Sequence, residues 1–447
     1  MQLRDRIDGL MGQARTDLAE LVAMRSVADP RQFPPQECRR AAEWVRDRFA
    51  EVGFAGLELA DTIDGSLAVV GSRPGPDPDA PTVLLYSHYD VQPPLDEAAW
   101  RTPPFELTEV DGRWYGRGAA DCKGNIVMQL AALRALGDDV PVNLKLVVEG
   151  SEEQGTGGLE DYVPKHPERL RADAILICDT GNAAVGMPAV TVSLRGLANV
   201  VVRVEALRSE VHSGMYGGPA PDALAALIHI LASLRDGAGN TTVSGLDSNQ
   251  TWTGMEYPAA DFRADATVLD EVSLIGDGSV ADLLWARPAV TVLGIDCPPV
   301  IGSAAAIQPR AAARLNLRVP PGTDAAVAQE ALSKHLLEAA PWGVRVSVER
   351  EGVGSPFRAR QGGPAYAALA EAMQAAYGRP MTTLGQGGSI PLCNVFAETY
   401  PDAEIILVGL EEPRALIHAP NESVDPTEIA NMALAVALFL QRYAEAG

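Results

Sequence analysis

Cysteine is scarce in this chain of 447 residues: five, at Cys38, Cys122, Cys178, Cys297 and Cys393, scattered, odd in number and without a C-x-x-C pair. That excludes a disulfide-stapled fold and a cysteine zinc knot, and it predicts a reduced, cytoplasmic protein. Positive charge is also in deficit. Lys+Arg number 36 against 59 Asp+Glu, a net charge of −23, which disfavours nucleic acid and anionic lipid as partners. No apolar run reaches the length of a membrane span. The first residues lack a signal peptide's uninterrupted apolar stretch. Ile7, Leu10, Met11, Ala14, Leu18, Leu21 and Val22 follow helical spacing with charges on the other face. Internal repeats and low-complexity tracts are absent as well.

The length exceeds what one hydrophobic core usually supports, so two domains are expected. Up to about residue 187, helices near 3–24, 36–52 and 126–136 alternate with strands near 66–71, 82–88, 142–149 and 174–179, which is βαβ organisation. The character changes after Pro188. The segments at Val190 and Asn199 read as two strands meeting at a glycine turn, and alternating strands recur at Leu315 and Val344, with helices at 222–235 and 324–339. Such period-2 strands keep one solvated face, unlike the apolar runs before them. A Gly/Pro-rich linker from Glu351 to Pro364 leads to a helix at 365–377, a buried strand at 404–409 and a C-terminal helix at 426–444. The expectation is an α/β protein. One domain, 1–187 with 353–447, carries a mostly parallel sheet flanked by helices, and 188–352 is an inserted α+β domain.

Four buried-strand patterns run into residues that bind divalent metals. The run from Thr82 leads into His88-Tyr89-Asp90, that from Val142 into Glu149 and then Glu152-Glu153, that from Ala174 into Asp179, and that from Glu404 into an acidic loop and then His418. Ligands of open α/β sheets bind outside the carboxyl ends of the strands. His88 and Asp90, two apart, point to the same side, so one can ligate and the other support it; a lone structural histidine is the competing reading. Asp121 lies in a glycine-dense loop, Gly116 to Gly124, where a carboxylate can bridge two cations or simply cap the following helix. Of the adjacent Glu152 and Glu153, one can face metal while the other stays free as a general base; Glu149 reads as structural. Together these groups suit a two-metal centre with ions about 3.5–4 Å apart. Elsewhere, His212 opens a polar glycine-rich loop. Arg318 can clamp a carboxylate, and the loop Gly385 to Pro391, with Gly387, Gly388 and Ser389, can hold an anion on its N–H groups. A plain turn and a surface arginine are the alternatives there.

This order of residues resembles the M20 metallopeptidase family, in its di-zinc branch of carnosinases and cytosolic dipeptidases. The resemblance implies His88 and Asp179 on one metal, Glu153 and His418 on the other, and Asp121 bridging both. It further implies Glu152 as the base that deprotonates the bridging water, with Asp90 orienting His88. The smaller domain becomes a lid that also forms a homodimer, and His212 reaches the partner subunit's active site to stabilise the oxyanion. Arg318, Gly387, Gly388 and Ser389 become the clamp for a peptide's terminal carboxylate. Three positions depart from the family: Cys122 after the bridging aspartate where Asp is usual, Gln386 where Glu is common, and Ala306 where a threonine often stands. A cis peptide bond after Asp121 is the family's expectation.

The expected activity is hydrolysis of dipeptides or short peptides, of dipeptidase or carboxypeptidase type, through a metal-bridged hydroxide. The expected cofactors are two divalent ions per chain, Zn²⁺ with Mn²⁺ or Co²⁺ as alternatives. The rival reading within hydrolases is an N-acyl or N-carbamoyl amino acid amidohydrolase, such as a desuccinylase or deacetylase. A different class is a metal-stabilised scaffold without catalysis, against which the free Glu152 argues.

Overall fold

The computed structural model describes residues 2–446, which group into two compact units. The first comprises residues up to Val192, Ala359–Leu384 and the segment from Leu392 on; the second comprises Ser193–Arg358 and Gly385–Pro391.

The first unit is built on a mixed sheet. Its strands are β1 (Ala55–Asp61), β2 (Leu67–Arg73), β3 (Thr82–His88), β4 (Asn143–Glu149), β5 (Ala174–Cys178), β6 (Ala189–Leu194) and β7 (Glu404–Val408), in the spatial order β1-β2-β4-β3-β5-β7-β6. The central four, β4, β3, β5 and β7, are parallel, with antiparallel neighbours on either side. Parallel strands need both faces covered, which is why β3 and β5 read as unbroken apolar runs and are buried nearly throughout. Helices α1 (Leu3–Ala23), α3 (Lys123–Leu136), α4 (Pro364–Tyr377) and α5 (Pro426–Ala446) pack on one another, while α2 (Pro35–Glu51) lies against β1 and β2. In α3 every residue but Arg134 is buried, so this helix fixes the loop that precedes it.

One expectation is corrected here. The segments at Val190 and Asn199 do not form a hairpin: Thr191 of β6 pairs with Leu407 of β7, whereas Gly196–Glu205 pairs with strands of the other unit. All six residues of β6 are buried, as a strand inside a covered sheet requires.

The second unit holds a four-stranded antiparallel sheet in the order Ala289–Asp296, Arg310–Val319, Gly196–Glu205, Arg345–Gly354. Ala198, Val200, Val202 and Val204 alternate inward onto the helices Ala223–Ala232 and Ala325–Glu338. Each helix starts at an aspartate whose carboxylate accepts backbone N–H groups: Asp222 from Leu224 and Ala225, Asp324 from Val327.

Candidate metal centre

Because β4, β3, β5 and β7 run in parallel, their carboxyl ends share one edge of the sheet. His88 ends β3 in register with Glu149 at the end of β4, and Val408 of β7 pairs with Cys178 of β5, one residue before Asp179. The polar residues at this edge are thereby brought together from positions more than 300 apart in sequence.

Asp121 is the hub. Its Oδ1 lies 3.0 Å from His88 Nε2, and its Oδ2 lies 2.9 Å from His418 Nε2. His88 Nε2 is also 2.9 Å from Asp179 Oδ1, and His418 Nε2 is 3.1 Å from Glu153 Oε2. Two groups of metal-binding side chains thus meet on opposite oxygens of one carboxylate: His88 with Asp179 on one side, His418 with Glu153 on the other. The first side is buried and the second opens to solvent, the His418 side chain being 52% exposed. His418 stands at a φ of 61°, a left-handed conformation uncommon outside glycine, in a loop that also contains Leu416 at 52° and Asn421 at 69°. Glu152, next to Glu153 on a short 3₁₀ turn, belongs to none of the ligand groups among the described residues.

Supporting contacts hold this arrangement. Asp90 Oδ1 accepts the Glu152 N–H at 3.2 Å, and Oδ2 accepts the Glu153 N–H at 3.1 Å; Oδ1 also lies 3.4 Å from His88 Nδ1. Asp90 therefore touches both: its backbone carbonyl lies 3.1 Å from His88 Nδ1, and its buried carboxylate accepts the two N–H groups of the Glu152–Glu153 turn. Gln92 donates from its backbone N and its side-chain Nε2 to the Glu153 carboxylate. Glu422, fully buried, pairs with Arg117 at 2.7 Å and accepts the N–H groups of Gly118, Ala120 and Asp121, which fixes the loop carrying the hub. The Asp121–Cys122 bond is cis, and the Cys122 thiol donates to the Cys178 carbonyl at 2.9 Å. Glu149, read as structural, accepts the Tyr86 hydroxyl at 3.0 Å.

The electrostatics describe a site short of positive charge. Burial, with Asp179 close by, holds the Glu152 carboxyl well above its usual pKa; burial with Asp121 pushes Glu153 up to about 7. Asp179 is likewise raised by burial. His418, which burial alone would lower, is raised to about 11 by Asp121 and Glu153. Carboxylates crowded in low dielectric take up protons unless a cation neutralises them. The donor set is imidazole nitrogen and carboxylate oxygen, with the Cys122 thiol beside His88 and Asp179, which suits Zn²⁺ above all, so the residues fit divalent ions.

Sequence reasoning missed one member of the cluster. Glu411 joins Asp121 and Asp179 in a third buried group, its Oε1 has no hydrogen-bond partner, and burial raises its pKa well above the usual range. Gly181 permits this approach: a Cβ there would lie 1.4 Å from the Glu411 carbonyl oxygen. Two acids after a strand, Glu411-Glu412, were the available signal, and only the tertiary packing separates them. Glu412 turns instead to Arg113, at 2.6 Å.

The remaining candidates lie in the second unit. His212 is exposed, its Nδ1 accepts the Gly214 N–H at 3.1 Å, and its strand partner is Ala306. Arg318 is half-buried near the end of its strand, and Gly387, Gly388 and Ser389 lie in the loop that joins this unit. Gly387 is backed by Arg195, whose Nη2 sits 2.9 Å from where a Cβ would stand. Arg195 is the second residue that sequence reasoning passed over.

Comparison with known proteins agrees with this geometry. Residues 84–442 match the model of peptidase family M20/M25/M40. The chain is 44% identical over 435 residues to the cysteinylglycine-S-conjugate dipeptidase of Corynebacterium striatum, covering 96% of this chain and 94% of the relative. It is 29% identical over 380 residues to the β-Ala-His dipeptidase of Homo sapiens, covering 80% and 74%. The crystal structure of human carnosine dipeptidase 1 superposes with a TM-score of 0.82 at 26% identity, over 99% of this chain and 98% of that one. With a family match across most of its length and a relative this similar over nearly all of it, the chain belongs to peptidase family M20/M25/M40 and is a metallopeptidase.

Proposed function

We propose that the protein hydrolyses dipeptides at a two-ion centre in which Asp121 is the shared ligand, His88 and Asp179 hold one ion, and Glu153 and His418 hold the other. The observation that carries this reading is the division of labour around Asp121: imidazole and carboxylate converge on each of its oxygens, and Glu152 stands beside them outside every ligand group. Divalent ions, when bound, polarise the scissile carbonyl and lower the pKa of a water molecule. Glu152 takes that water's proton and delivers it to the leaving amine. Glu411 adds carboxylate density beside Asp121 and Asp179 and tightens the hold on the buried ion. Zn²⁺ is the ion that the mixed nitrogen and oxygen donors favour, with Mn²⁺ or Co²⁺ able to replace it.

The second unit acts as the lid. Arg318 and the N–H groups of Gly387, Gly388 and Ser389 hold the peptide's terminal carboxylate, and His212, exposed on this unit, stabilises the oxyanion from a partner subunit. A homodimer through the lid is supported by the strand Ala289–Asp296. It lies at the sheet edge and exposes Val292, Leu293 and Ile295, with Val300 and Ile301 more than 90% exposed beyond it. The five cysteines are all free, which fits a cytoplasmic setting, and among the described residues no helix is long and apolar enough to cross a membrane. Dipeptides are preferred over N-acyl amino acids as substrates because the relatives named above are dipeptidases.

The test is Glu152→Gln. The variant keeps two ions per chain by elemental analysis and loses turnover of a dipeptide panel by about 10²–10⁴-fold, the usual span of a positioned acid–base group. Near-normal turnover overturns the assignment of the base.

A further inference from the structure

The turn that carries Glu152 and Glu153 is held by two carboxylates. Asp90 accepts its N–H groups. The other is Asp64, in the loop that joins β1 to β2, 87 residues before Ser151. Asp64 Oδ2 accepts the Ser151 hydroxyl at 2.7 Å and the Thr156 hydroxyl as well, so one carboxylate fastens both flanks of the Glu152–Gln154 turn. Its Oδ1 accepts the Thr62 hydroxyl at 2.6 Å and the Ser66 N–H at 3.0 Å, which fix the acid in its own loop. The Ser66 and Ser151 hydroxyls lie 3.0 Å apart and close the network. A Cβ on Gly158 would stand 2.6 Å from Asp64 Oδ2 and push the carboxylate off its hydroxyl partners.

The turn needs such a hold because little else fixes it. It is a short 3₁₀ turn, closed by the Gln154 N–H on the Ser151 carbonyl at 3.2 Å and the Gly155 N–H on the Glu152 carbonyl at 2.9 Å, and 3₁₀ hydrogen bonds are weaker in geometry than those of an α-helix. Gly155 and Gly157 follow at φ of 57° and 76°, where the chain has no side chain to restrain it. Packing does not compensate. Ser151, Gln154 and Thr156 border a cavity of about 580 Å³, which Val27, Cys38, Leu67 and Tyr89 also line. A segment with a cavity at its back lacks close-packed neighbours on that face, so directional polar contacts must set its geometry. Asp64 supplies them as an ionised acid, since its hydrogen bonds hold it below the usual carboxylate range, and charge-assisted bonds are the stronger kind.

We propose that Asp64 is a positioning residue for the hydrolytic step: by fastening Ser151 and Thr156 it sets the aim of the Glu152 carboxylate and the seat of Glu153. Asp64 belongs to none of the ligand groups among the described residues and acts only through the turn. The base is thereby held by two carboxylates of different kind, Asp90 on the backbone amides and Asp64 on the flanking hydroxyls. This rests on Glu152 being the base and adds to it the residue that keeps the base in place.

The experiment measures kcat and KM of the full-length enzyme at saturating Zn²⁺, with the best-cleaved member of a dipeptide panel. Asp64→Ala removes every acceptor and is expected to lower kcat about 10- to 100-fold, the cost of a small misplacement of a catalytic group, with KM within about threefold of wild type. Asp64→Asn keeps one acceptor and can donate to a hydroxyl, so it should recover most of the loss. Hydrogen exchange of the peptide spanning residues 150–157, followed by mass spectrometry, should quicken in Asp64→Ala. Ser151→Ala with Thr156→Val should lower kcat similarly, and combining them with Asp64→Ala should bring little further loss, since the three residues act as one unit. A kcat of Asp64→Ala within about threefold of wild type overturns the proposal, as do unchanged exchange at 150–157 and losses that add in full. Should Asp64→Ala fail to fold, the hydroxyl double variant decides by the same readouts of kcat and exchange. Near-normal turnover of Glu152→Gln marks failure of the base assignment by itself. In that case faster exchange at 150–157 together with weaker Zn²⁺ binding in Asp64→Ala upholds its hold on the turn, and wild-type values of either overturn it.

Discussion

Replacing Asp90 with asparagine tests how the centre is held together. The Asp90 carboxylate accepts two backbone N–H groups, those of Glu152 at 3.2 Å and Glu153 at 3.1 Å, and lies 3.4 Å from His88 Nδ1. Asparagine has the same shape but one acceptor oxygen. Both carboxylate oxygens accept from the turn, so its NH₂ group faces one of those two N–H groups, donor against donor. One charge-assisted hydrogen bond is lost, about 2–3 kcal/mol including the misaligned partner. At about 1.4 kcal/mol per factor of ten this is roughly 30- to 100-fold, the range found for residues that orient metal ligands. The loss divides between two readouts, because Asp90 touches both a ligand and the turn that carries Glu152. Divalent-ion affinity, measured by competition with a chromophoric chelator, should weaken, and kcat of the fully loaded variant should fall as well. Melting of the metal-free variant should not be lowered, since the substitution also removes a buried charge. Ion affinity and kcat both within threefold of wild type would refute the reasoning.

Three further outcomes follow from acids outside the candidate ligand set. Glu422→Gln leaves Arg117 with its carboxylate partner removed in a fully buried pair, and should destabilise the protein by about 3–5 kcal/mol in denaturant unfolding, with metal affinity falling in parallel. Burial raises Glu149 to about 8, so this group binds a proton in the folded chain that it releases on unfolding at neutral pH, and stability declines as pH rises from its unfolded value near 4.5 towards 8. Glu149→Gln in metal-free protein should therefore raise the melting temperature more at pH about 8 than at about 5; a pH-independent difference contradicts this. Burial works to raise Asp64, but hydrogen bonds from Thr156, Thr62, Ser151 and Ser66 outweigh it and hold the acid below its usual range. Its contribution is complete above the unfolded value and is lost progressively as pH falls from there to the lower folded value, so the gap in urea midpoint between wild type and Asp64→Asn should be constant above about pH 5 and narrow as pH falls below about 4.

Much of the centre was legible because a parallel sheet writes itself plainly into sequence. The runs ending at His88 and Asp179, and the one leading to Glu152 and Glu153, are apolar because β3, β4 and β5 are covered on both faces, and parallel register carries their ends to one edge. The residues that stayed hidden depend on packing that periodicity does not encode. Glu411 and Glu412 are equivalent in sequence, and the contact at Gly181 decides which one enters the cluster. Arg195 stands before Gly196 in what reads as a hairpin turn, and its approach to Gly387 follows only because the strand at Val190 joins the other sheet. The stretch between Asn240 and Arg287 has neither helical nor strand period in most of its length, so its aromatic stack and cavity could not be foreseen.

The central claim is that two divalent ions, held on either side of Asp121, are needed for peptide hydrolysis. The most direct measurement is to titrate Zn²⁺ or Mn²⁺ into chelator-stripped protein while following both bound metal and cleavage of a dipeptide. The account predicts no cleavage without metal, activity complete at two ions per chain, and loss of both ions' tight binding in Asp121→Asn. Full activity in stripped protein, or activity complete with Asp121→Asn still binding both ions at wild-type affinity, would contradict it.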